Sequence, residues 1–460
     1  MTNLAVTPIP IRYSNLNHAL RIPLAAEVHS RPFLRLNAPE SISHLAVYCR
    51  DGAEPRGANF AGRHTMLAGL CLHFGVAPPH AEAKYFYHDF GRFRLKWECH
   101  TEFATYTFAE PHDSGLPLAD AFARAPLMHI PQDWLASLEG KIMVAAHVVL
   151  DKGAAPAYTF AQELQDVFEG RLLVGSQVLQ GGEVWTDFLI QSDGFSRFVV
   201  RDAGLREQQA GSLVQRVLEI ETYRMMALLG LPYAQTAAPA LNAVEEELAT
   251  LTATMVDIDD TSANTFAERS AQDADPEQAL LGHITRLAAR VEKLSLDNNY
   301  RFSASQAYFR LVHARIEELR ESRIEGIPTV GEFMERRLTP AMNTCAAIAG
   351  RQEALARRIA HTNDLLRTRV GIIQEHQNRR ILQSMNRRAA RQLRLQQAVE
   401  GLSVVAISYY MVGLLSYGAK ALKAAGVPIN VEVATGLMVP LVAFGVWLAL
   451  RRLHKSMHAD

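Results

Sequence analysis

The sequence predicts an α+β domain, then a long helical region, then a C-terminal hairpin of two transmembrane helices. Three observations predict it. Within residues 1–205, short alternating or β-branched segments are punctuated by Gly-Gly and Asp-Gly turns. Beyond Gly204, apolar residues recur almost entirely at helical spacing. At the end, two apolar stretches at 401–419 (GLSVVAISYYMVGLLSYGA) and 433–450 stand thirteen residues apart, and neither holds a Lys, Arg, Asp or Glu.

The N-terminal elements follow from local pattern. Residues 44–49 (HLAVYC) read as a short strand rich in β-branched and aromatic residues. Residues 63–74 place Met66, Leu67, Leu70 and Phe74 on one side of a helix that Gly75 stops. Phe93, Leu95 and Trp97 alternate with charged residues, the period of a half-buried strand, and 103–108 returns as its hairpin partner. A strand at 142–150, a helix at 158–168 ending at Gly170, and strands at 171–179, 183–190 and 195–200 complete the set. Such strand-turn-strand runs favour antiparallel pairing, hence α+β over a doubly wound fold.

Residues 206–341 form the helical region. Helices are expected at 213–229, closed by Gly230 and Pro232, and at 240–256. An acidic polar linker is expected at 257–278. Helix resumes at 281–294, where Ile284, Leu287, Val291 and Leu294 have coiled-coil spacing, then at 300–322 and briefly at 332–340. Residues 342–400 contain no proline and form a long basic helical stalk leading into the first span.

The spans, 401–419 and 433–450, each match the length needed to cross ~30 Å of hydrocarbon. Arg379, Arg380, Arg387, Arg388, Arg391 and Arg394 precede the first, and Arg451, Arg452 and Lys455 follow the second, in a basic tail at 451–460. Only Lys420 and Lys423 lie between. By the positive-inside rule both termini are cytoplasmic and a short external turn lies near Gly426 and Pro428. The first 13 residues hold no apolar run of signal-peptide length. Cys49, Cys71, Cys99 and Cys345 form no CxxC pair and fit a reducing compartment.

The formal net charge of −1 conceals a strong asymmetry. Residues 235–280 carry ten acids and one base; residues 336–394 carry thirteen Arg and three acids. Internal docking of the two is expected rather than nucleic-acid binding, since the basic segment lacks interleaved aromatics. Its end near the bilayer suits anionic headgroups, so the expected partners are the lipid bilayer and further copies of the chain.

Eleven of the seventeen histidines fall within the first 147 residues. His29, His44, His64 and His88 with Asp89 are the candidate metal ligands, although no pair has a diagnostic ligand spacing and no cofactor is expected. The motif His29-Ser30-Arg31-Pro32 reads as a turn or interface clip, because no third catalytic group accompanies it. In the spans, Ser403, Ala406, Tyr410, Gly413 and Tyr417, and Gly436, Pro440, Ala443 and Trp447, each share one helix face. That face is a helix-packing seam, or a pore lining where hydroxyls meet hydrated ions.

Two resemblances add to these readings. The runs RRLTPAMNTCAAIAGRQEALARRIAHTNDLLRTRV and LQSMNRRAARQLRLQQAVEGLSVVAISYY, with EVHSRPF and NNYRFSASQAYFRLVHARIEELRE, resemble a bacterial family of uncharacterised membrane-anchored proteins with a domain of unknown function. That resemblance implies anchoring in a bacterial inner membrane and carries no catalytic residues. The order of domain, basic stalk and terminal hairpin is similar to CorA-type divalent cation channels. Their Gly-Met-Asn triplet is here Tyr417-Gly418-Ala419. The expectation is a non-enzymatic, membrane-anchored protein. An ion transporter with an altered filter and a membrane-tethered enzyme using the His-rich domain are the alternatives.

Overall fold

The computed structural model describes residues 18–22, 24–25, 32–49, 58–153, 160–161, 164–206, 208–263, 275–425, 428 and 430–457. The chain divides into two compact units. The first comprises 1–252 with 286–360, and the second 253–285 with 361–460.

The first unit contains a nine-stranded sheet. In chain order its elements are β1 (Glu40–Tyr48), α1 (Ala58–His73), β2 (Tyr85–Asp89), β3 (Arg94–Cys99), β4 (Phe103–Pro111), α2 (Leu118–Ala123), α3 (Gln132–Ala136), β5 (Lys141–Asp151), β6 (Val174–Val178), β7 (Gly182–Ile190) and β8 (Ser196–Asp202). Helices α4 (Gln209–Leu228), α5 (Gly230–Ala263) and α6 (Asp275–Leu319) follow. Strand β9 (Ser322–Arg323) and helices α7 (Val330–Arg337), α8 (Thr339–Ala424) and α9 (Val431–Met457) complete the chain.

The strand order is β2-β3-β4-β1-β5-β8-β7-β6-β9. The expected antiparallel pairing holds except between β5 and β8, which run parallel. Strand β2 pairs with β3 at the sheet edge. The sequence reading left it out because Tyr85-Phe86-Tyr87 does not alternate apolar with polar. The helix expected at 158–168 lies partly outside the described residues; within it Phe160 and Ala161 are helical and a 3-10 turn spans Leu164–Asp166.

Because side chains alternate across a sheet, register assigns each residue a face. On one face Leu45, Leu95, Trp97, Tyr106 and Phe108 pack with Leu67 and Leu70 of α1 and with Trp134 of α3. Farther along it, Phe160, Leu164, Val167, Trp185 and Val199 form a second apolar cluster. Strand pairing places His44, Thr107 and Lys96 together on the opposite face, and Val148, Leu150, Phe198 and Val200 on that same face. Helix α4 meets it with Leu213, Val214, Val217, Leu218 and Thr222 buried.

The helices are longer than expected. Gly230 and Pro232 open α5 rather than merely closing α4, since proline is tolerated in a first turn. The segment expected as a linker at 257–278 is helical to Ala263 and again from Asp275. Residues 264–274 lie outside the described ones. The two helices expected at 281–294 and 300–322 are one helix, α6. Buried positions recur at steps of three and four: Ala234, Ala237, Leu241, Val244 and Leu248 on α5, and Ile284, Leu287 and Val291 on α6. Met342, Cys345, Ile348, Gln352, Leu355 and Ile359 do so on α8. Within the first unit, Arg290 joins Glu247 across α5 and α6, and Arg351 joins Glu245 across α5 and α8. Arg301 of α6 forms a two-pronged, fully buried pair with Glu102 at the start of β4, tying helix to sheet. Removing one partner of such a pair costs roughly 3–5 kcal/mol, because the other charge stays buried alone.

In the second unit, α8 continues without interruption through 361–424, so the segment expected as a stalk and the first apolar span belong to one helix. Two helices are long and apolar enough to cross a membrane, one ending at Ala424 and one at Val431–Ala449. Large apolar side chains along them, among them Leu402, Leu414, Leu437, Leu441 and Phe444, are exposed.

Candidate functional site

The first unit holds a cavity of about 40 Å³ between the sheet and α4. Its floor is the part of the α4-facing surface where the side chains turn polar: His44 of β1, Lys96 of β3, and Thr105 and Thr107 of β4. Farther across, the same surface carries Val148, Leu150 and Phe198, all buried. Gln215, Leu218 and Thr222 of α4 form one wall. Leu34 and Leu36 close the top.

Those two leucines belong to a strap without regular structure that precedes β1. Arg94 donates to the Arg35 carbonyl oxygen at 2.6 Å and pairs with the Glu40 carboxylate. The Asn37 amide donates to the other Glu40 oxygen at 2.7 Å. Burial nevertheless raises the Glu40 carboxyl above the usual range, against the lowering pull of these hydrogen bonds and of Arg94. On the helix side the strap runs so close to Gly211 that a Cβ there would lie 1.8 Å from the Leu34 carbonyl oxygen. The glycine therefore permits the roof.

The hydrogen bonds define the floor. Thr222 donates to the Leu218 carbonyl at 2.8 Å, as helical threonines do, so its oxygen accepts from His44 Nε2–H at 3.2 Å. His44 Nδ1 then accepts from the Thr107 hydroxyl at 2.8 Å. These two partners fix the tautomer of the neutral ring. Burial, and then repulsion from Lys96, push His44 down to about 3. Lys96 Nζ donates to Gln215 Oε1 at 2.9 Å and pairs with Glu98 at 3.1 Å. Gln215 passes its amide to Glu219 at 2.7 Å, and Glu219 is neutralised by Arg315 of α6. The two carboxylates at this site are each matched by a cation, which leaves a polar, charge-balanced pocket suited to binding.

The histidines singled out as metal ligands do not converge. His44 lies on the α4-facing surface of the sheet. His64 of α1 packs edge-on to Trp97, and His88 of β2 stacks on Phe86, both on the opposite face. Asp89 accepts the Gly91 amide in a turn at 2.8 Å. His29 and the rest of the His29-Ser30-Arg31 run lie outside the described residues. Among the described residues no three His, Cys, Asp or Glu side chains are grouped to hold a metal. Strand pairing also brings together a pair that no local motif announces. Ser43 and His147 sit side by side on β1 and β5, Oγ to Nδ1 3.0 Å, with the His147 ring stacked on Phe195 at 4.0 Å. Ser43 is fully enclosed and its oxygen also accepts the Leu127 amide, so the pair is closed to a substrate.

Of the span residues singled out as a packing or pore face, Ser403, Gly413 and Ala443 are half-buried, while Ala406, Tyr410, Tyr417, Gly436 and Pro440 are exposed. Ala419 is the buried residue of the first span. Arg387, Arg388, Arg391, Arg394 and Arg452 are exposed; the side chains of Arg451 and Lys455 lie outside the described ones.

Fold and site define a protein with an α+β sheet unit, long helices and a C-terminal pair of membrane-length apolar helices. Residues 16–457 match the family described as "Protein of unknown function (DUF3422)", and the chain belongs to that family. No curated protein matches the chain, and no solved structure matches it.

Proposed function

We propose that this chain is a non-catalytic protein anchored in the bacterial inner membrane by α9 and the end of α8, with its sheet unit on the cytoplasmic side. The observation that carries this reading is the exposed apolar surface of both membrane-length helices. In water such continuous surfaces are costly, and lipid tails remove the cost. The arginines ahead of the first span and the basic residues after the second add the orientation. Further copies of the same chain are the proposed partners within the membrane, where half-buried Ser403, Gly413 and Ala443 allow close helix approach. The closed Ser43–His147 pair and the locked His44 ring support a binding role rather than a reactive one. The test is fractionation of cells at alkaline pH, which strips peripheral proteins. The full chain is expected in the membrane pellet and released only by detergent. Release into the alkaline supernatant would overturn the anchor.

A further inference from the structure

We infer that α8 carries a docking seam for a second copy of this chain, which pairs with it in parallel and in register from Leu382 into the first span. The inference rests on the proposed anchor. Two copies held in one bilayer in the same orientation meet along α8 only in parallel.

Every side chain from 381 to 399 is exposed, so no other described element of the chain covers that part of α8. Its large apolar residues stand in water nonetheless. Leu382, Met385, Leu393, Leu395 and Val399 are each between 58% and 68% exposed. Helices in proteins draw most of their stability from packing such a face against a neighbour.

Spacing identifies that neighbour as another helix. In the span, Ser403, Ala406, Tyr410, Gly413 and Tyr417 step by three and four. The same steps continue backward without a break through Val399, Gln396, Gln392, Ala389, Met385 and Leu382. The result is a strict seven-residue repeat over residues 382–417, roughly 54 Å of helix. Six arginines lie between 379 and 394, and none of them falls on the seam. Leu393 and Leu395 flank it and widen its apolar surface. A straight helix drifts by about 20° per seven residues against such a repeat, or about 100° over five repeats. A flat bilayer surface selects the face that follows 3.6 residues per turn. A helix wound around α8 selects the face that follows 3.5.

The span leaves the same side open. Val404, Ser408 and Val412 are half-buried and Ala419 is buried, whereas Ala406, Tyr410 and Tyr417 are exposed. Ser403 and Gly413, at the two margins of the seam, are half-buried. What covers one side of the helix therefore does not occupy the other.

The polar seam residues select a like partner. Gln392 and Gln396 each carry an amide donor and an amide acceptor, so each satisfies its own counterpart when the register matches. Arg388, beside the seam, meets Leu393 of the second copy in a parallel pair rather than another arginine. Arg380, Arg387, Arg391 and Arg394 fall on the outer side of the pair, where water screens them.

The test is disulfide scanning of the full-length chain in isolated membranes, with copper phenanthroline as the oxidant. Leu382→Cys, Gln392→Cys and Val399→Cys report the seam, and Arg387→Cys and Arg391→Cys report the outer side. The native chain controls for its own thiols. A disulfide needs Cβ atoms about 4 Å apart, so all three seam positions should link to a doubled mass at least about fivefold faster than the outer two. Equal rates at seam and outer positions, or no linking at the seam, would overturn the inference. Linking at one seam position alone means that the helices cross, and it overturns the parallel register. A linked product of another mass gives the seam to a different protein and overturns it too. The alkaline wash of the same membranes keeps the two readings apart. A chain that stays in the pellet without the pattern loses the seam and keeps the anchor, whereas a chain that leaves the pellet loses the anchor.

Discussion

His44 shows how much one residue's surroundings decide. A scattered histidine near a first strand reads as a metal ligand or a surface group. Between Thr107 and Thr222 it is instead a buried hydrogen-bond bridge. Its protonation is pushed down to about 3, and burial likewise holds His147 down to about 4 although Asp193 pulls the other way. The consequence for stability has a definite sign. The unfolded histidine takes up a proton as pH falls through about 6.5, whereas the folded one does not until far lower. The unfolded state therefore binds more protons in that interval. The contribution of His44 is intact above about pH 6.5, declines as pH falls, and levels off near pH 3. Its full span is on the order of a few kcal/mol. Denaturant midpoints measured from pH 7 to pH 4 should drop, and His44→Gln should flatten the slope while lowering stability at neutral pH. An unchanged slope in that variant would remove His44 from the account and leave the decline to His147, which is pushed down in the same direction.

At the scale of elements, close approach and open space make opposite predictions for two glycines. Gly211→Ala drives a Cβ into the Leu34 carbonyl, a backbone atom that cannot swing aside. The strap must shift, at a cost of about 1–3 kcal/mol, and amide exchange at 33–37 should accelerate. Gly69 lies on the exposed side of α1 with nothing near its Cβ position, so Gly69→Ala should stabilise by up to about 1 kcal/mol through helix propensity. Equal effects of the two substitutions would mean that the strap is not seated where the cavity requires it. The elements that sequence pattern revealed are those with a clean period. The β3–β4 hairpin alternates, and α1 places its leucines on one side. Those it missed break the period for physical reasons. Edge strand β2 carries aromatics toward both faces, β1 begins at Glu40 and Ser41 because both are buried despite their polarity, and acidic composition at 257–278 disguised two helix ends. The cavity was illegible for another reason. His44 and Thr222 lie 178 residues apart, and Lys96 and Gln215 lie 119 apart. Only strand register and the packing of α4 bring them together, and neither leaves a local signature.

At the scale of the whole molecule, the charge pattern makes a prediction that the sheet unit alone does not. With the proposed anchor, positive charge ahead of the first span and after the second, against two lysines between, predicts a connection between the spans on the outer side. The four native cysteines serve as an internal control for this orientation. Three are buried, and Cys49 is half-buried in the sheet unit. In intact spheroplasts a membrane-impermeant thiol reagent should leave the native chain unlabelled. A Lys423→Cys chain should be labelled at once, and an Arg394→Cys chain only after the membrane is broken. Weakening the bias should weaken the outcome: with Arg387, Arg388, Arg391 and Arg394 changed to Ser, four of the nine flanking positive charges are gone. Labelling at Lys423→Cys should then fall. Labelling of Arg394→Cys in intact spheroplasts, with the native arginines otherwise present, would place the sheet unit outside.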